Sequence, residues 1–319
     1  MNPYWGQNFV SFLAIFFKRF FGVITGNLPL APDELQIFTL SLIGVSTAII
    51  GVFLVLRKST MQANSLSHTT LLGITLVVIF YGFFTTNETG QFFHFSLTKL
   101  ILSALITAFA TLFFTRFLQE KMRVQTDASI GLVFSLFFAL GILLVTLYTR
   151  NMHIGVEAIM GNVDALHPND LFLSLAICFI NVAVTIVLYS WYKMTTFDLN
   201  LAKSFGIKVG LIETILILQT TLTIMGGFRA VGVILILAMI TAPVITARLF
   251  TNRLYSLFFF SIAISVLASF FSVALSRHIL SVTKVASSTS ALNILFLLLF
   301  FIISATLTFV LSKRKVATL

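Results

Sequence analysis

Charge, cysteine and catalytic signatures are what this chain has little of. Asp, Glu, Lys and Arg together make up 9% of its 319 residues, while 58% are hydrophobic and 36 are Phe. That leaves too little polar surface to cover a water-soluble globule, so an integral membrane protein is expected. The single Cys178 lies inside an apolar run, which excludes a disulfide framework and a thiolate metal cluster. There is no Gly-rich loop ending in Lys-Ser or Lys-Thr, no His-Glu-x-x-His, no pair of carboxylates within an apolar run and no nucleophile elbow. The chain therefore carries no ATPase and no hydrolytic site of its own, and it is not expected to be an enzyme. None of the 10 acids falls near the centre of an apolar window, so the carboxylate relay of a proton-driven pump is excluded as well. A cleavable signal peptide is not expected, because the first apolar run, Phe9–Ile24, is interrupted by Lys18 and Arg19 and lacks a small-residue cleavage site.

What is present is a series of apolar windows. A bilayer core takes about 20 apolar residues in helical form, and such windows recur at 35–56, 66–84, 97–118, 128–148, 171–192, 211–228, 231–250, 254–275 and 291–311. These predict an all-α, polytopic membrane bundle of about nine transmembrane helices. No repeat or long linker divides it, so residues 35–319 are read as one transmembrane domain surrounded by lipid. Residues 1–34 are read as an N-terminal interfacial segment, since a Lys-Arg pair in the middle of the short 9–24 run is costly at mid-bilayer; a tenth span is the alternative. The six residues 226–231, Gly-Gly-Phe-Arg-Ala-Val, predict a tight break between two apolar runs, either a hairpin at the surface or a break within the membrane.

The net charge of +10 would suggest nucleic acid in a soluble domain. Placement of the charges decides otherwise. With the first span running outside to inside, 13 of the 20 Lys and Arg, among them Arg57, Arg116, Lys203 and Lys208, collect at inner ends and loops. That asymmetry follows the positive-inside rule and removes nucleic acid as a partner. It also puts in the cytoplasm a polar island between two apolar runs, Thr196 to Gly206. Asp198 suits an N-cap, Leu199, Ala202 and Phe205 with Leu201 form an apolar stripe, and Gly206 suits the residue after the C-cap. A helix of three turns at most is expected, resting on the bilayer or docking its apolar face into a partner protein. The longest outer polar segment, 149–170, holds His153, Glu157, Asp164, His167 and Asp170, and is either a docking surface or a solvated loop.

Within the second window Asn64 and His68 are four residues apart and share a helix face, with Ser67 beside them. A histidine in an apolar span needs a partner or a water-filled path. An imidazole with an amide oxygen suits weak holding of Mn²⁺, Fe²⁺ or Zn²⁺ along a permeation path, provided other groups complete the shell. The competing reading is a structural His68 bonded to a neighbouring helix. Pro243, in Thr241-Ala-Pro-Val-Ile-Thr-Ala-Arg248, removes a backbone bond in the seventh window; the kink is a moving hinge or a static bend, and the residues favour neither.

Several of these stretches together resemble the permease subunits of ATP-binding-cassette importers for zinc, manganese and iron. Gly51-Val-Phe-Leu-Val-Leu-Arg57, then Asn64-Ser-Leu-Ser-His68 and Gly73, resemble that family's first-span end and its Asp-Ala-Leu-Ser-His motif. Asp127-Ala-Ser-Ile-Gly131 with Ala139-Leu-Gly141 resembles its fourth span. Phe197-Asp-Leu-Asn-Leu-Ala-Lys-Ser-Phe-Gly206 is similar to its cytoplasmic Phe-Asp-x-x-x-Ala-x-x-x-Gly segment, and Val231-Gly232 through Pro243 to Ala247-Arg248-Leu249 resembles a further run.

The resemblance implies a multi-pass permease of the bacterial cytoplasmic (inner) membrane that pairs with a second permease. It further implies two cytoplasmic ATPase subunits that bind the ATP, and an extracytoplasmic metal-binding protein that delivers the ion. On it, His68, Asn64 and Ser67 line the metal path. Phe197, Asp198, Leu201, Ala202, Phe205 and Gly206 form the coupling helix against the ATPase. This chain departs from the family pattern in having Asn64 in place of a carboxylate, with Ala63 and Leu72 where Gly and Pro are common. The lost negative charge weakens cation attraction here and suggests a heterodimeric pore whose partner keeps the acid. The rival readings are a permease for chelated iron or a corrinoid and, from another class, a polytopic enzyme acting on lipid through His153 and Glu157.

Overall fold

The computed structural model describes residues 3–25, 28–84, 97–148 and 162–317. Among them the chain forms eleven α-helices and no strand: α1 Phe9–Ile24, α2 Pro32–Leu56, α3 Thr60–Phe84, α4 Leu97–Glu120, α5 Thr126–Tyr148, α6 Pro168–Phe197, α7 Leu199–Ser204, α8 Val209–Val231, α9 Val233–Arg248, α10 Leu254–Thr283 and α11 Thr289–Ala317. Seven of these (α2, α4, α5, α6, α8, α10 and α11) are long and apolar enough to cross a membrane. The two remaining windows are occupied by α3 and α9. Helix α3 has 25 residues, polar in its first half at Gln62, Asn64, Ser65, Ser67, His68, Thr69 and Thr70 and apolar from Leu71 onward. Helix α9 has 16 residues, roughly 24 Å against a hydrocarbon core of about 30 Å.

Helix α2 is the centre of the bundle. Of its 25 residues 18 are buried, and α6, α8, α9 and α10 all pack on it. Helices α3, α4 and α5 form a second group that reaches the centre through α8, while α11 packs on α9 and α10. Lipid supplies no hydrophobic drive between helices, so close packing depends on small residues and internal hydrogen bonds. Gly44 abuts Ser265 of α10, Gly51 abuts the Ile240 carbonyl of α9, and Gly73 abuts Thr107 and Ser103 of α4. A fully buried Asn181 on α6 donates to Ser46 Oγ of α2 at 2.9 Å and to Thr223 Oγ1 of α8 at 2.6 Å, pinning three helices together.

The expected break at 226–231 is not where the chain breaks. Helix α8 continues through all six residues, and the interruption falls on Gly232, which takes φ +84° between α8 and α9. The Gly226-Gly227 pair serves close approach instead, to Ile177 of α6 and to Ile43 and Ile236.

Side chains tie the end of the bundle where α2 begins and α10 finishes, the outer end on the orientation expected from charge. At the outer end the guanidinium of Arg277 on α10 pairs with buried Asp33 at the start of α2. Asp164, in a 3₁₀ turn at Val163–Ala165, accepts from the hydroxyl of Thr289 at the start of α11. Helix α1 has both ends at this outer side: Gln7 O accepts from Ser281 Oγ at 3.0 Å, and Arg19 pairs with Glu34 at 2.7 Å. Its Phe12 and Phe16 are buried and meet Phe270 of α10 with ring centroids 6.5 and 5.0 Å apart. These contacts hold the 16-residue α1 against α10 and the start of α2.

Candidate functional site

The 196–206 stretch, expected on the cytoplasmic side, is built by its caps. Asp198 leaves helical geometry at φ −145°, and its Oδ1 accepts from the backbone N–H of Asn200 at 3.0 Å and of Leu201 at 2.9 Å, which starts α7. Six residues later the helix closes in a Schellman motif. Gly206 turns left-handed at φ +74°, its N–H donates to Lys203 O at 3.0 Å, and the Ile207 N–H reaches back to Ala202 O at 3.0 Å.

The side chains do not form the single stripe that the spacing predicts. Ala202 is fully buried, turned toward the α6 and α8 helices that hold α7. Phe197, Leu199, Leu201 and Phe205 are exposed, Phe205 at 67%. With six residues the helix has under two turns, so one small residue suffices to seat it and the large apolar ones are free to project. The result is an apolar surface on a rigid, doubly capped segment.

Two arginines bracket this segment. Arg57, in the three-residue turn between α2 and α3, donates from Nε to Thr196 Oγ1 at 2.9 Å and from Nη2 to Thr195 Oγ1, at the end of α6. Burial pushes its pKa down, but an arginine starts high enough to stay protonated. Arg116, near the end of α4, donates to Gly210 O at 2.8 Å and Thr214 Oγ1 at 3.0 Å, with Glu213 at 3.6 Å. Read as sequence, both are inward-facing charges; their contacts appear once the helices are assembled.

The second candidate lies on α3, roughly 12 Å along the axis from Thr60. Asn64 and His68 are half-buried on one face. The His68 ring sits against Phe134 and Phe138 of α5, centroids 5.6 and 5.5 Å away, and these two phenyl rings stack on each other at 5.7 Å. Among the described residues His68 shows these ring contacts and no side-chain hydrogen bond to a neighbouring helix. Ser67 is buried and its hydroxyl donates to the Asn64 carbonyl at 2.7 Å, so it does not join the other two as an open ligand. Among the described residues no three His, Cys, Asp or Glu come together. The α3 site therefore offers one imidazole and one amide oxygen.

Pro243 lies buried inside α9, which continues through it to Arg248. Three residues before it, the Ile240 carbonyl rests against Gly51 of α2. The segment around Pro243 is thus packed on the central helix. In the outer loop, His153 and Glu157 lie outside the described residues. The described ones act as caps: His167 Nδ1 accepts from the Asn169 N–H at 3.3 Å and Asp170 accepts from the His167 N–H at 2.9 Å.

Comparison with known proteins agrees with this architecture. The ABC 3 transport family matches residues 35–308. A Chlamydia trachomatis serovar D protein named "probable metal transport system membrane protein" is 34% identical over 99% of this chain and 96% of its own length. The manganese transport system membrane protein MntD of Bacillus subtilis is 33% identical over 63% of this chain and 69% of its own. Among solved structures, PsaBC from Streptococcus pneumoniae in complex with Fab superposes with a TM-score of 0.69 at 25% identity, covering 85% of this chain and 90% of that one. With seven helices of spanning length and this match, the protein is a multi-pass component of a bacterial inner membrane. The chain belongs to the ABC 3 transport family.

Proposed function

We propose that this chain is the permease subunit of an ATP-driven importer that moves a divalent transition-metal ion, manganese, zinc or iron, into the cytoplasm. Family membership and the manganese relative support the transport class. The observation that carries the mechanism is the exposed apolar surface of Phe197, Leu199, Leu201 and Phe205 on a capped helix at the cytoplasmic end. The chain has no nucleotide-binding loop, so the motor is separate: two ATPase subunits seat that surface in a cleft, and their closure around ATP reorients the spans. Pro243 is the candidate hinge for that motion. Residues 1–34, with α1, rest at the outer interface, where an extracytoplasmic binding protein hands over the ion.

Asn64 and His68 line the metal path. First-row divalent ions take four or more ligands, so two groups from this chain leave the shell incomplete. A second permease, a homologous partner that keeps the acid absent here, completes it. The test is metal uptake by the reconstituted complex with Phe205→Asp or Leu201→Asp in this subunit: insertion persists while ATPase binding and uptake are lost. Uptake at the wild-type rate in either variant rules out the docking role. For the path, His68→Ala lowers uptake in an assembled complex, and full uptake returns His68 to a packing role.

A further inference from the structure

Arg57 stands at a junction that the coupling reading does not use. The turn between α2 and α3 has three residues, Arg57 to Ser59, so Arg57 moves with the central helix and with the helix that carries Asn64 and His68. Its guanidinium reaches across to Thr195 and Thr196, the last residues before Phe197, the first exposed apolar residue of the docking surface. The acceptors are oriented. Thr195 Oγ1 gives its proton to Trp191 O at 2.7 Å, and Thr196 Oγ1 gives its proton to Tyr192 O at 2.6 Å, so both oxygens present lone pairs to the arginine. The fork geometry of a guanidinium holds two such oxygens in a fixed relation, which a lysine ammonium does not.

Arg116 offers the comparison. It grips the first turns of α8, just past the same segment, at Gly210 and Thr214, but its side chain and that of Glu213 are 36% and 39% exposed, where water competes for each contact. Arg57 is the drier joint and is one turn from the metal-path helix.

We propose that Arg57 is a positioning residue of the transport cycle: it carries displacement of the 197–206 docking stretch through Thr195 and Thr196 into the α2–α3 hairpin, and so to Asn64 and His68. The proposal rests on the coupling reading of that stretch. It makes the Arg57 joint, rather than general packing, the element that links ATP hydrolysis to ion movement.

The experiment uses the whole reconstituted complex with its ATPase, partner permease and binding protein, and reads three quantities: ATPase subunits bound, ATP hydrolysed, and Mn²⁺ or Zn²⁺ taken up. In Arg57→Met, binding and hydrolysis persist while uptake per ATP falls by about tenfold, inside the factor of about 5 to 150 usual for coupled sites. Arg57→Lys recovers part of the ratio, and Arg116→Met lowers it less than Arg57→Met does. Should Arg57→Met fail to assemble, the Thr195→Val, Thr196→Val double variant removes the acceptors and leaves the arginine; the same fall in uptake per ATP is expected. An unchanged ratio in whichever of these variants assembles overturns the proposal. Failure of the coupling reading itself looks different, because Phe205→Asp would then retain both ATPase binding and uptake.

Discussion

Replacing Gly51 with alanine tests how closely the central helix meets α9, the helix that contains Pro243. An ideal Cβ at Gly51 would lie 2.1 Å from Ile240 O, 3.1 Å from Ile240 C and 3.2 Å from Val244 Cγ2. A carbon and a carbonyl oxygen in weak contact keep about 3.3 Å, so roughly 1.2 Å has to be found. The obstacle is backbone inside a helix and has no rotamer to escape into. The two helices must part, and a gap of about 0.5–1 Å already forfeits a quarter to a half of each contact across it. Overpacking of this kind costs about 1–3 kcal/mol, and a rigid neighbour puts Gly51→Ala near the upper end, about 3 kcal/mol, of which helix propensity returns about 1 kcal/mol. Gly226→Ala is the discriminating control. Its Cβ would come still closer, 1.8 Å from Ile177 Cδ1, but that atom is the tip of a flexible side chain. A rotamer shift costs about 0.5–1.5 kcal/mol, and alanine returns about 1 kcal/mol of helix propensity. Gly131→Ala, with nothing within 4 Å, is neutral or stabilising. Thermal unfolding in detergent, followed with a thiol-reactive dye, reads all three, because the only cysteine, Cys178, is buried and reacts on unfolding. Gly51→Ala melts lowest and the other two stay near the wild type. A Gly51→Ala protein as stable as Gly131→Ala would refute the close contact, and with it the packing of the Pro243 segment on α2.

Three further outcomes follow from the same contacts. Arg277→Met leaves buried Asp33 without its ion pair to α10 and costs about 3–5 kcal/mol in the same melt, part of which an added Asp33→Asn restores. Asp198→Ala removes the acceptor for two backbone N–H groups and costs about 0.5–2 kcal/mol locally, read as faster hydrogen exchange over residues 199–204 with the rest of the bundle unchanged. Asn64→Asp returns a carboxylate four residues before His68, so uptake at low metal concentration rises; uptake equal to or below the wild type means that the face is not on the ion's route.

The positions of the spans were legible because the bilayer enforces apolar length, and all nine windows hold helices, among them the seven that meet the full criterion. Asp198 and Gly206 were legible because capping is local chemistry. The break near residue 230 was misplaced because a Gly-Gly pair reads the same whether glycine is there for a turn or for the close approach of another helix. Here Gly226 and Gly227 give room to Ile177 and Ile236, and the positive φ falls on Gly232. The inward turn of Ala202 depends on where α6 and α8 stand, which spacing alone does not encode. Arg57 was legible as an inner charge and as the end of the family-like Gly51–Arg57 run, but its partners, about 138 positions away in sequence, were not. Asn181 was lost in the same way among the apolar residues of α6, although its amide ties together α2, α6 and α8.

The central claim is that a separate ATPase drives ion movement through the exposed face of α7. ATP-dependent uptake of Mn²⁺ into proteoliposomes holding the complete complex tests it most directly, with Phe205→Asp compared against the wild type and ATPase binding measured on the same preparation. The account predicts that the variant inserts, retains no ATPase and takes up no metal. Wild-type uptake with the ATPase still bound would contradict it.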